Sequence, residues 1–75
     1  MSRTVAFGPH DVGKRISIQY FEPDGARSEA VGVLERAERQ GESLLLHVRK
    51  RDDSVVQVPL HRIRFGRIVP ARGPR

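Results

Sequence analysis

The sequence predicts an all-β domain, and three observations carry that expectation. Apolar residues recur at every second position over short runs, as in RISIQYF (15–21) and SLLLHVRK (43–50), and period two is the pattern of a half-buried strand. Turn-forming groups separate the runs: Glu22-Pro23-Asp24-Gly25, Gln40-Gly41 and Arg51-Asp52-Asp53. Helical spacing is not sustained anywhere. The most helix-like composition, residues 35–42, holds only Ala37 as an apolar residue and has no face to bury.

Taken in order, Met1 to Phe7 is weakly patterned, with Val5 and Phe7 placed to start a strand or tuck under one. Gly8-Pro9-His10-Asp11-Val12-Gly13 reads as a single turn, 3-10 in character, because Pro9 fixes its own φ and Asp11 can bond nearby backbone. The first strand is 15–21, with Ile16, Ile18 and Tyr20 inward and Arg15, Ser17 and Gln19 outward. A polar loop over 22–28 leads to a second strand at 29–36. There Val33 and Leu34 are adjacent and Gly32 is internal, so a phase slip with a bulge near Gly32 is expected.

The third strand, 43–50, points Leu44, Leu46 and Val48 inward and Leu45, His47 and Arg49 outward. A tight connection at 51–53 returns the chain as a fourth strand, 54–59, with Val56 and Val58 as the core pair and Pro59 as its end. Leu60-His61-Arg62 has room for one 3-10 turn. A fifth strand follows over 63–69, with a bulge at Gly66 that would return Ile68 to the side of Phe65. Pro70 closes it, and 71–75 reads as a linker or tail. The domain is thus 1–70. Five short strands joined by hairpins, with a 3-10 turn before the last, describe a small five-stranded SH3-like barrel, with Sm-like and OB-like barrels as its rivals.

Leu, Ile, Val and Phe make up 21 of 75 residues, above the roughly 20% below which a chain defaults to disorder. A core of this size yields only about 3–5 kcal/mol of net stability. There is no cysteine, hence no disulfide and no thiolate metal site. No apolar run nears the roughly 18 residues of a membrane span, and Met1 to Phe7 lacks a signal-peptide core. A cytoplasmic protein is the expectation. Charge is uneven: residues 1–42 carry six Lys/Arg and seven Asp/Glu, whereas residues 43–75 carry eight and two. Such asymmetry points to an anionic partner or to a well-solvated surface.

The stretches DVGKRISIQY (11–20), Pro-Asp-Gly (23–25), VGVLE (31–35), DSVVQVPLHRI (53–63) and GRIVP (66–70) together span most of residues 11–70. In these the chain resembles the small SH3-like domain that precedes the catalytic domain in certain bacterial GNAT-type acetyltransferases. The resemblance implies a non-catalytic barrel with a linker at ARGPR (71–75). No acetyl-CoA pyrophosphate loop is present here, so acetyltransferase activity does not carry over to these residues, and the chain reads as an excised domain or a stand-alone relative.

Chemistry-bearing constellations are sparse. Asp52-Asp53 sit at a hairpin tip, where nothing desolvates them, and a turn role fits them better than acid–base work. His10, His47 and His61 have no local metal-ligand spacing. The serines lie in no nucleophile-elbow context, and Val12-Gly13-Lys14 lacks the upstream glycine spacing of a phosphate loop. No metal, cofactor or catalytic residue is expected. Proline-rich peptide reading needs an aromatic-lined groove, and the chain has four aromatics, Phe7, Tyr20, Phe21 and Phe65.

Two functions remain. The favoured one is a non-catalytic accessory module that docks to a catalytic domain or another protein through an exposed strand edge or the outward residues Leu45, His47 and Arg49. The alternative is non-specific nucleic-acid binding through phosphate contacts by Arg49, Lys50, Arg51, Arg62, Arg64 and Arg67, which form one basic face if the third to fifth strands are neighbours. In that alternative Phe21 is the one aromatic expected to be exposed for stacking. Open sheet edges also allow pairing between copies.

Overall fold

The computed structural model describes residues 7–70. A 3-10 turn at Pro9–Asp11 precedes β1 (Arg15–Phe21), β2 (Arg27–Gln40), β3 (Ser43–Lys50) and β4 (Val55–Pro59); a second 3-10 turn at Leu60–Arg62 leads into β5 (Ile63–Ile68). All five strands form one antiparallel sheet in the order β4-β3-β2-β1-β5. The edge strands β4 and β5 do not pair with each other among the described residues, so the sheet is open and the expected closure into a barrel is not made by hydrogen bonding. The expected start at residue 1 and the tail at 71–75 lie outside the described residues.

The period-two pattern specifies the core. Ile16, Ile18 and Tyr20 from β1, Leu46 and Val48 from β3, and Val58 from β4 are buried, with Leu34, Ala30, Ile63 and Phe7 completing the cluster. Leu44, Val56 and Ile68 pack against it from the margin. Phe7 tucks under the sheet, as one of its two readings had it.

Two bulges differ from expectation. β2 is longer than the 29–36 read from sequence, and its N-terminal half pairs with β1 while its C-terminal half pairs with β3. The extra residue in β2 is Glu35, not a residue at Gly32. Ala30, Gly32 and Leu34 form one inward series, and Val31 and Val33 face out, so there is no phase slip at Val33–Leu34. Gly32 is instead a close-approach site, where a Cβ would collide with the Arg49 carbonyl on β3. Glu35 suits the bulge because the residue left out of the ladder swings its carboxylate to the surface, where Arg49 meets it. Beside the bulge, Leu34 exchanges backbone hydrogen bonds with the chain before β1: Gly13 N donates to Leu34 O at 2.8 Å, and Leu34 N donates to Lys14 O at 2.9 Å.

In β5 the extra residue is Arg64, not Gly66. Gly66 pairs with Ile18 and faces inward, where a Cβ would strike the Phe7 ring. Moving the bulge by two residues puts Ile68 on the side of Ile63 and turns Phe65 outward, against the expectation that Ile68 would share the side of Phe65. β5 ends at Ile68, although Val69 N still donates to Arg15 O at 2.8 Å.

The turns follow their residues. Gly25 and Gly41 adopt positive φ in the first two hairpins. In the third, Asp53 has φ of 72°, a conformation Asp tolerates better than most side chains.

Candidate functional site: two flanks of the outward sheet face

Cross-strand partners point to the same side of a sheet, so the register assigns the outward residues. One row runs Arg15, Val33, Arg49, Val55 across β1 to β4; another runs Arg67, Ser17, Val31 across β5 to β2; a third runs Phe65, Gln19, Glu29. Four of the five large apolar residues that the described chain exposes lie on this face: Val31 (48% exposed), Val55 (43%), Phe65 (41%) and Phe21 (40%). The fifth, Val12, lies beside the first 3-10 turn.

On the β2–β3–β4 flank, Arg36, His47 and Arg49 each meet a carboxylate, whereas no ion pair among the described residues reaches Lys50 or Arg51. Arg49 Nε donates to Glu35, and its guanidinium also lies 3.7 Å from Asp53 Oδ1. The Glu35 hydrogen bond and charge, with a smaller contribution from Asp53, hold Arg49 further above its already high pKa. His47 Nε2 lies 3.2 Å from Glu38 Oε1, and Arg36 approaches the same carboxylate at 3.8 Å. Of the residues expected to dock a partner, Leu45 and His47 are half-buried and Arg49 is exposed but paired. A groove of about 360 Å³ opens at the hairpin end of β3, next to Arg49 in the chain and lined by Val31, Lys50, Arg51 and Asp52.

The β1–β5 flank differs. Arg64 stacks over the Phe65 ring, its Cζ 5.0 Å from the centroid. Phe65 is opposite Gln19, and Phe21, two residues further along β1, lies diagonal to it and opposite Arg27. Ion pairs among the described residues involve the carboxylates of Asp11, Glu35, Glu38 and Asp53, and none reaches Arg27 or Arg67. Glu29 is the acid at the β2 margin, and it accepts a hydrogen bond from Gln19 Nε2 at 3.0 Å.

The six residues of the expected basic face therefore divide. Arg49, Lys50 and Arg51 lie at the β3–β4 hairpin, Arg62 closes the second 3-10 turn, and Arg64 and Arg67 lie on β5. β3 and β4 are neighbours, but two strands separate β3 from β5, so the condition set for one basic face across the third to fifth strands is met only in part. Phe65 is the residue that sequence reasoning missed. Its period-two neighbour Ile63 is buried, and only the bulge at Arg64 reverses its direction.

The titratable groups have structural partners. Asp11 is the one buried charged residue among those described. Burial raises its pKa, but hydrogen bonds from Gly8 N (3.1 Å) and Lys14 Nζ (3.1 Å), with the nearby His10, outweigh it and hold the carboxyl below the ordinary value. Its contribution to stability is therefore present above the unfolded carboxylate pKa and lost as pH falls through the lower folded value. Asp52 is lowered by hydrogen bonds from Ser54 Oγ (2.6 Å) and Ser54 N (3.0 Å), which close the hairpin. Tyr20 is raised by burial and then by the Glu22 charge, against the opposing influence of the Ser28 hydroxyl as a hydrogen-bond donor. Among the described residues no group of three His, Asp or Glu converges to hold a metal, and no helix is long and apolar enough to cross a membrane.

Comparison with known proteins returned no matching family model, no matching curated protein and no matching solved structure.

Proposed function

We propose that this chain is a non-catalytic binding module of SH3-like barrel type that docks a protein partner on its β2–β3–β4 flank. The strand order β4-β3-β2-β1-β5, the long bulged β2 shared between two halves and the 3-10 turn between β4 and β5 support the barrel type. The observation that carries the docking surface is the row Val33, Arg49, Val55 with exposed Val31 beside it, in which Arg49 is already paired with Glu35. A partner covering an unpaired arginine must supply a counter-charge or leave a buried charge uncompensated. Arg49 brings its own counter-charge, so an apolar protein surface can close over it and bury the valines. Lys50, Arg51 and Asp52 then form the polar rim.

The resemblance to the domain preceding GNAT-type catalytic domains names the first partner to try, a catalytic domain of that type encoded in the same or an adjacent reading frame. Titration of the isotope-labelled chain with that domain should shift the amides of Val31, Val33, Arg49 and Val55. The shifts should persist at high salt and vanish in Val31→Glu/Val55→Glu. Absence of any shift, or shifts confined to β5, overturns the proposal.

A further inference from the structure

The β1–β5 flank presents a different chemistry from the docking surface, and we infer that it binds single-stranded nucleic acid. Three features converge there. Two phenylalanine rings, Phe21 and Phe65, are exposed on one face at diagonal positions across β1 and β5. Cations surround them: Arg64 over Phe65, Arg27 opposite Phe21, and Arg67 two residues along from Phe65. Arg27 and Arg67 lack a carboxylate partner among the described residues. Gln19 is opposite Phe65 and two residues from Phe21; its amide Nε2 donates to Glu29 and its carbonyl end is an acceptor for a base edge, beside a groove of about 450 Å³ lined by Gln19, Arg27, Ser28 and Glu29.

Each feature answers one part of the ligand. Bases have π-faces that stack on exposed rings whatever their identity, while phosphates need cations spaced along the strand. A duplex hides its base faces and would use only the arginines. A protein partner would have to bring acids to Arg27 and Arg67 and would leave the stacking geometry unused. The charge complementarity therefore favours a polyanion, and the two rings select the single-stranded form. Glu29 is the element that opposes binding, since its charge lies at the margin of the groove.

The test is fluorescence anisotropy of the full chain with labelled oligo-dT, oligo-rU and a duplex of equal length, at about 50 and 200 mM salt. Either single strand should bind more tightly than the duplex. About three phosphate contacts give a slope near −2 in log K against log salt, hence a loss of roughly 15-fold between the two conditions. Phe65→Ala and Phe21→Ala should each weaken single-strand binding about fivefold or more. Arg67→Glu should weaken it and flatten the salt slope, and Glu29→Gln should tighten it. All four positions are exposed, and unchanged melting curves will show that the variants fold. No binding at low salt, or duplex binding equal to single-strand binding with both alanine variants unaffected, overturns the inference. Neither result bears on the Val31–Val55 surface, which Val31→Glu/Val55→Glu probes separately.

Discussion

Arg49 on β3 and Arg67 on β5 stand on the same outward face of one sheet, with two strands between them, and they are held in opposite ways. Arg49 is clasped by Glu35 from the β2 bulge and approached by Asp53 from the hairpin. Arg67 is opposite Ser17 and has no acid partner among the described residues. The C-terminal half of the chain looks uniformly basic when charges are counted along the sequence. Folding neutralises part of that charge on one flank and leaves it open on the other. The sites that attract anions are therefore decided by cross-strand pairing, because a carboxylate within hydrogen-bonding distance cancels a guanidinium that net charge still counts.

The largest expected effect comes from the inward side, which both flanks share. Leu46 is buried in the inward face beneath them, and Leu46→Asp places a carboxylate there with no partner. Cooperative thermal unfolding followed by circular dichroism should disappear. A sharp transition near that of the parent chain would show that Leu46 is not part of the core.

A smaller effect separates the flanks through their glycines. A Cβ at Gly32 meets the Arg49 backbone carbonyl, whereas one at Gly66 meets side chains, chiefly the Phe7 ring. Backbone in a central ladder yields less than the end of a ring, even a buried one, which can tilt about its side-chain torsions. Gly32→Ala should therefore cost about 3 kcal/mol and Gly66→Ala about 1 kcal/mol in urea unfolding, within the range for overpacking. Adding Phe7→Leu should recover part of the Gly66→Ala loss and none of the Gly32→Ala loss. Equal costs, or equal rescue, would mean that the two close approaches are alike.

The smallest expected effect sharpens the contrast in charge. Glu35→Gln removes the principal carboxylate partner of Arg49, leaves only the more distant Asp53 beside it, and so adds a weakly paired arginine to the face that already carries Arg27 and Arg67. Oligonucleotide affinity should rise about twofold to fivefold, and the salt slope should steepen by roughly 0.7, the increment for one added single-strand phosphate contact. An unchanged slope would show that Arg49 is screened by something other than Glu35.

Residue by residue, the alternation was legible in the chain itself. Ile16, Ile18, Tyr20, Leu46, Val48 and Val58 are inward as period two requires, and the ends of β1 and β3 coincide with the turn residues that flank them. The second 3-10 turn was legible too, because three residues between Pro59 and Ile63 leave little else to form. The bulges were not. Glycine at 32 and 66 suggested them, yet both glycines mark close approaches, and the extra residues are Glu35 and Arg64. A glycine reports that space is missing without saying whether the obstacle is a kink or a neighbour.

In β1, β3 and β4 the inward and outward sets follow from the chain alone, since neighbouring side chains on extended backbone point to opposite faces and one set is the more apolar. Tertiary structure alone decided that β5 joins β1 and not β3, that Glu35 meets Arg49, and that Phe65 turns to water beside Phe21. Those outcomes depend on register between strands far apart in the chain, and one unpaired residue in a ladder reverses the direction of every side chain beyond it.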